Sequence, residues 1–123
     1  LVDGVPDVSG TIDAPIARME GSVINREVNF LTGETAVTHY ERLATGTRYS
    51  LMELHLETGR THQIRVHMKY IGHPLPGDYL YNQDYSRIQR QPLHSFQLEF
   101  IHPVTKKPML FTAPVPDDFR LAF

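Results

Sequence analysis

The stretch LETGRTHQIRVH, Leu56 to His67, sets Arg60, His62, Gln63, Arg65 and His67 within eight positions. Three kinds of chemistry would use such a density of donors: holding a metal, stabilising an anion, or positioning a carboxylate. Spacing counts against the metal. His62 and His67 are five apart, about 140° around a helix, and the glutamate that follows the first histidine in zinc-binding helices of proteases is absent. His39 and His55 could meet across a hairpin, where a hydrogen-bonded or half-exposed pair is the simpler account, so no metal is assigned.

Arg65 reads in two ways: as a surface arginine on a solvated helix, or as a guanidinium held early in a helix to position an aspartate or a substrate oxygen. Arg60, after the Thr58-Gly59 turn, is either a loop arginine capping strand carbonyls or a phosphate contact. Gln63 and His67 read as members of a buried polar network. His73 reads as a loop-fixing donor, and Asp78 as an acceptor of N–H groups in its own turn. His94 is a half-buried structural histidine that could face the same polar cavity.

Other catalytic classes are excluded on motif grounds. Ser9, Ser22, Ser50, Ser86 and Ser95 lack a G-x-S-x-G context, and neither a Gly-rich phosphate loop nor G-x-G-x-x-G occurs. Glu53 and Glu57 lie four apart on one strand face without an evident cleft. With no cysteine, disulfides, thiolate catalysis and cysteine-ligated metals are ruled out. What remains is an arginine-centred polar cavity without an identifiable nucleophile.

The formal charge of -2 argues against binding nucleic acid through bulk positive field. Its distribution is uneven. From Arg60 to His94 five basic residues face two acidic ones, giving +3, so a local phosphate-facing patch is compatible with an acidic remainder. No run approaches eighteen apolar residues and no signal-peptide pattern is visible, which predicts a soluble, intracellular chain with no membrane partner.

The elements that must position these residues follow from periodicity. Leu1-Val2 reads as the tail of a strand entering a turn. TIDAPIAR reads as a short extended piece ending near Pro15, and the polar segment Met19–Val37 as a mobile surface excursion. TAVTHYERLAT and RYSLMELHLET alternate in polarity and are predicted to pair antiparallel around Thr45-Gly46-Thr47. From Thr61 the period changes: Ile64, Met68 and Ile71 make the apolar stripe of a helix of roughly ten residues, with Thr61 as N-cap, Gly72 as the residue after the end, and Pro74 preventing continuation. His62, Arg65 and Lys69 stand together off that stripe. The segment 82–91 is polar and reads as surface. LHSFQLEFIHP and PMLFTAP form a C-terminal hairpin through TKK, and a short helix is expected from Asp117. The prediction is one α+β domain, a mostly antiparallel mixed sheet with one main helix, in a chain of 123 residues long enough for a core.

LETGRTHQIRVHMKYIGHPLPGDYLY, Leu56 to Tyr81, closely resembles the C-terminal signature of the RluA-type RNA pseudouridine synthases. GTIDAPIAR, TAVTHYERL and LHSFQLEFIHPVTKKPMLFTAPVPDDF resemble further parts of that family, so the likeness covers nearly the whole chain. It implies a pseudouridine-synthase-like fold and isomerisation of particular uridines in structured RNA, ribosomal or transfer, with no cofactor and no metal. In the family the base is flipped into a pocket, an aspartate acts as nucleophile, the N1 glycosidic bond breaks, and C5 is joined to the ribose. Arg65 maps onto the basic residue that pairs with that aspartate. Arg60, His62 and Gln63 match motif positions that build or support the pocket, together with His67, His73, Asp78 and His94. Lys69, Arg87 and Arg90 are the candidates for contacts to the RNA backbone.

The family's H-R-L-D-type motif and its stacking tyrosine belong to upstream segments and do not occur here. The resemblance therefore implies that residues 1–123 are the C-terminal portion of a catalytic domain whose nucleophile-bearing half is absent. Such a chain is expected to be inert alone, its carboxylate partner for Arg65 missing, with homo-oligomerisation through an uncovered sheet edge as one way to fold. The alternatives are an RNA-binding module without chemistry and a structural or protein-interaction fragment. The cytoplasm is the default compartment, with nucleus and mitochondrion left open.

Overall fold

A computed structural model describes all residues, 1–123. In chain order its elements are β1 (Val2–Asp3), β2 (Ser9–Asp13), β3 (Ile16–Arg18), β4 (Arg26–Val28), β5 (Val37–Thr45), β6 (Tyr49–Leu56), α1 (Gln63–Tyr70), β7 (Gln97–Ile101), β8 (Pro108–Thr112) and α2 (Asp117–Ala122). The main sheet has the order β1-β6-β5-β2, β3 pairs with β4, and β7 pairs with β8; every pairing is antiparallel. No helix is long and apolar enough to cross a membrane.

The alternating segments on either side of Gly46 form the β5–β6 hairpin, in register from Thr38 opposite Leu56 to Thr45 opposite Ser50, with a bulge between Arg42 and Ala44. Thr38 and Ser50 lie on its buried face although both are polar. Their hydroxyls are bonded, Ser50 to Gly4 O and Thr38 within the site below, which is the condition for burying such groups without loss.

α1 has the predicted apolar stripe. Met68 is completely buried against Val2, Ile12, Ala14 and Leu75, and Ile64 and Ile71 flank it. Truncating Met68 to alanine would cost about 2–5 kcal/mol. The helix ends in a Schellman motif: Gly72 takes φ 87°, its N–H reaches Lys69 O, and the His73 N–H reaches Met68 O. The start differs from expectation. Thr61 is not the N-cap; His62 is, in the left-handed region at φ 57° and without a capping side chain. The turn is closed instead by the Gln63 N–H on Arg60 O.

Two other expectations are corrected. The segment Met19–Val37 is not a loose excursion, because its β4 pairs with β3 in a hairpin, and Val28 and Ala36 pack in a core cluster with Ile16, Val66 and Tyr81. The polar segment 82–91 is not wholly surface, because Ile88 is buried with Leu1, Tyr49, Phe119 and Ala122.

One side of the sheet is left open. Gly4 N–H bonds to Arg48 O and Val2 pairs with Ser50. Strand alternation then turns the N–H and C=O groups of Met52, Leu54 and Leu56 to that same side, beyond the end of β1. They border a cavity of about 810 Å³, lined mainly by apolar residues of β6 and of the segment approaching β7. Across it the β7–β8 hairpin stands with every β7 residue exposed and Phe100 stacked on Phe111.

Candidate active site

Gln63, the first residue of α1, is buried and uses its whole amide. Its Oε1 accepts from Thr58 Oγ1 at 2.8 Å and from the Arg60 N–H at 3.0 Å. Its Nε2 donates to Val37 O at 3.0 Å and to Thr38 Oγ1 at 2.9 Å. The Thr38 hydroxyl in turn donates to His67 Nδ1 at 2.7 Å, and His67 Nε2–H donates to Ala14 O at 2.8 Å. A carbonyl cannot donate, so this chain fixes His67 as the neutral Nε2–H tautomer. Burial lowers its pKa from 6.5 against the opposing pull of the Ala14 carbonyl and Asp13. The network stitches α1 to β5 and to the β2–β3 junction, and so sets the angle at which the next turn of helix presents Arg65.

Arg65 is turned inward, 7% exposed. Its Nε donates to Asp78 Oδ2 at 2.7 Å and its Nη2 to Asp78 Oδ1 at 2.8 Å, a bidentate pair. Within this chain Asp78 occupies Nε and Nη2, a carboxylate partner in addition to the one expected outside the chain. The cause is the rigid GHPLPGD loop, which doubles back under α1; Gly77 at φ 67° makes the last bend. Asp78 Oδ1 also accepts the Leu80 and Tyr81 N–H groups. Burial alone would raise the Asp78 pKa, but Arg65 and these N–H groups hold it below the ordinary carboxylate value. The Nη1 of Arg65 makes no hydrogen bond and is not closed off from solvent.

The side of α1 off the apolar stripe converges on Tyr81. The Arg65 guanidinium carbon is 5.1 Å from the centre of the Tyr81 ring and 5.7 Å from that of Tyr79, and Lys69 Nζ is 5.8 Å from Tyr81. His62 meets the same ring edge-on at 5.7 Å. The Tyr81 hydroxyl accepts the Arg26 N–H at 2.8 Å and donates to His62 Nδ1 at 2.8 Å. Burial, then the charges of Arg65 and Arg26, lower the His62 pKa and keep it the neutral acceptor this bond needs. Tyr81 and Arg26 were not singled out from sequence. Tyr81 carried the signal of lying three residues after Asp78; Arg26 carried none.

The remaining candidates divide. Arg60 donates through Nε to Thr35 O and approaches Glu34 at 3.3 Å, beside the site. His73 Nδ1 donates to Asp3 O and ties its loop to β1. His94 does not share the Arg65 cavity: it donates to Ala113 O, packs edge-on against Phe119 and lines the apolar cavity. Arg87 reaches Thr47 Oγ1 and sits over Tyr49. Arg90 is held by Asp118 through Nε and Nη2, so its guanidinium is already neutralised. His39 and His55 are direct cross-strand neighbours, each bonded to a glutamate, Glu57 and Glu53. No three His, Asp or Glu side chains gather closely enough to hold a metal ion.

Comparison with known proteins gives a consistent answer. A family model described as RNA pseudouridylate synthase matches residues 1–70. The chain is 51% identical over 111 residues to the uncharacterized RNA pseudouridine synthase YjbO of Bacillus subtilis, covering 90% of this chain and 39% of that protein. It is 43% identical over 136 aligned positions to the ribosomal large subunit pseudouridine synthase D of Zymomonas mobilis, covering 100% of this chain and 42% of that protein. The chain thus spans less than half the length of these curated relatives. Among solved structures, human RNA pseudouridylate synthase domain containing 1 superimposes with a TM-score of 0.75 at 27% identity, over 92% of this chain and 51% of that one.

Proposed function

This chain belongs to the RNA pseudouridylate synthase family, and on that footing we propose that it is the C-terminal portion of a catalytic domain that isomerises uridines in structured RNA to pseudouridine. The observation that carries the reading is the buried Arg65 fork on Asp78, with Nη1 left over beside Tyr81. In the whole protein that free edge is the group that meets the nucleophilic aspartate. Asp78 itself is a poor nucleophile: it is held ionised and its oxygens already accept four hydrogen bonds. Its role is to fix Arg65, which orients the reacting aspartate and stabilises its charge. The RNA is ribosomal or transfer RNA, and similarity to the ribosomal large subunit pseudouridine synthase D of Zymomonas mobilis favours ribosomal RNA.

The open side of the sheet supports the reading of residues 1–123 as a portion of a domain. An apolar cavity bordered by unpaired strand groups at Met52, Leu54 and Leu56 is suited to receive further strands. The remainder of the longer polypeptide supplies them, together with the nucleophile, so the 123-residue chain alone is inactive. Two measurements test this. Tritium release from RNA labelled at uridine C5 is expected from the full-length protein and not from residues 1–123; release by the short chain would overturn the assignment of its nucleophile elsewhere. Amide exchange at Met52, Leu54 and Leu56 is expected to be fast in the short chain and protected in the full-length protein.

A further inference from the structure

We propose that the depression between the β3–β4 hairpin and the turn before α1 is a binding site for a backbone phosphate of the RNA, held by Arg18, Arg26 and Arg60. The proposal rests on the RNA reading above and adds a subsite to it. The depression has a volume of about 530 Å³ and only two of its nine lining residues are hydrophobic. Its charged members are the three arginines and Glu34, so it carries a net +2 within a chain whose overall charge is -2.

The register of the hairpin is the main reason. Arg18 and Arg26 are direct partners across β3 and β4, an arrangement in which like charges repel. Neither forms a salt bridge; the chain's six ion pairs all involve other basic residues. Arg26 Nη1 rests on the carbonyls of Val23, Ile24 and Asn25, which leaves its Nε and Nη2 unused. Strand alternation puts both guanidinium groups on the face of Ile16 and Val28, which pack into the core, and puts Glu27 on the other face. The hairpin thus turns two unneutralised arginines toward the site and its one acid away. Guanidinium groups in that state match a phosphate, which accepts paired N–H donors.

Location supplies the second reason. The Arg26 N–H bonds the Tyr81 hydroxyl, and Arg60 and Thr61 lead directly into His62, which bonds the same hydroxyl. The depression therefore adjoins the ring under Arg65. A nucleotide whose base reaches Tyr81 and Arg65 brings a neighbouring phosphate alongside it. Such a contact fixes the register of the RNA and carries no sequence information.

The test uses the full-length protein, with Arg18→Gln alone and Arg18→Gln/Arg26→Gln, and unmodified transcripts of large-subunit ribosomal RNA and of transfer RNA. Dissociation constants are measured across a salt series. Each variant is expected to bind both RNAs more weakly by a similar factor, and the slope of log K against log salt is expected to fall by about one. The thermal midpoint of Arg18→Gln stays at or above that of the wild type, because a like-charge repulsion has been removed, whereas the double variant also loses the carbonyl contacts of Arg26 and is compared by its salt slope in the folded fraction. An unchanged slope overturns the site, as does a lowered midpoint accompanied by a wild-type slope in the folded fraction. Tritium release by the wild-type protein is scored separately: if it is absent the isomerase reading fails while the salt slopes still decide the site, and if it is present an unchanged slope sinks the phosphate site alone.

Discussion

Asp78 grips Arg65 from thirteen positions downstream through two parallel hydrogen bonds of 2.7 and 2.8 Å, with both side chains almost out of contact with water. A buried pair of this kind adds little over a well-packed apolar pair, yet breaking one half strands the other charge. Arg65→Ala and Asp78→Ala should each destabilise the protein by about 3–5 kcal/mol, and the double variant by less than the sum. Urea unfolding of the three variants checks the coupling. In the full-length enzyme Arg65→Lys keeps the charge and loses the fork. Its rate should fall far more than its RNA affinity, since the geometry acts on the reacting state; equal losses would make Arg65 a binding residue.

Gln63 has no spare hydrogen-bonding capacity, and its four partners come from two separate segments, β5 and the turn before α1. Gln63→Leu conserves size but leaves the Arg60 N–H and the Thr58 hydroxyl without their acceptor in a partly dry site. A loss of about 3 kcal/mol follows. Gln63→Glu should do no better, because a carboxylate has no N–H for Val37 O. Thermal unfolding distinguishes this from a merely surface role, for which both variants would be within about 0.5 kcal/mol of wild type.

Gly77 combines a positive φ with close backbone neighbours. A Cβ there would lie 2.6 Å from Arg90 O and 2.7 Å from Ile88 O, and φ is 67°. Gly77→Ala should therefore cost about 2–4 kcal/mol and displace the Asp78 carboxylate. In the full-length protein its rate should fall along with Arg65→Lys. A wild-type rate would show that Arg65 keeps its aim without the loop.

Acid should act in two separate windows. His62 and His67 have pKa values lowered from 6.5, chiefly by burial. Below pH 6.5 the unfolded chain gains protons that the folded chain refuses, so stability falls on acidification until the lowered folded values are passed. Asp78 has a folded pKa below 3.8, so its contribution is complete above that value and is lost only as pH falls through the folded one. Unfolding midpoints between about pH 7.5 and about pH 5 should decline. His67→Asn, which keeps an acceptor for Thr38, should flatten part of that decline while lowering stability at every pH.

Patterns carried by contiguous residues were legible in the sequence. The alternation on each side of Gly46 gave the β5–β6 hairpin, and the Ile64, Met68, Ile71 spacing with Gly72 and Pro74 gave α1 and its end. The grouping of His62, Arg65 and Lys69 on one side of α1 followed from the same period. The HQIR run and its flanks carry the family resemblance in contiguous residues. Where local cues competed, the outcome differs: Thr61 is a good capping residue by type, but Gln63 closes the turn on Arg60 and ties it to β5 through its side chain.

By itself the sequence determined the strongly periodic elements and the family they belong to, because periodicity, turn residues and motif order are properties of neighbours along the chain. Only the tertiary structure decided that Asp78 is the partner of Arg65, that His94 lies in a different cavity, and that Arg18 and Arg26 face each other beside Tyr81. Those choices depend on how loops close between distant segments, and a partner is fixed by register and bend rather than by residue type. An arginine on a strand reads the same whether an acid, a carbonyl or nothing stands opposite, until the strand is paired.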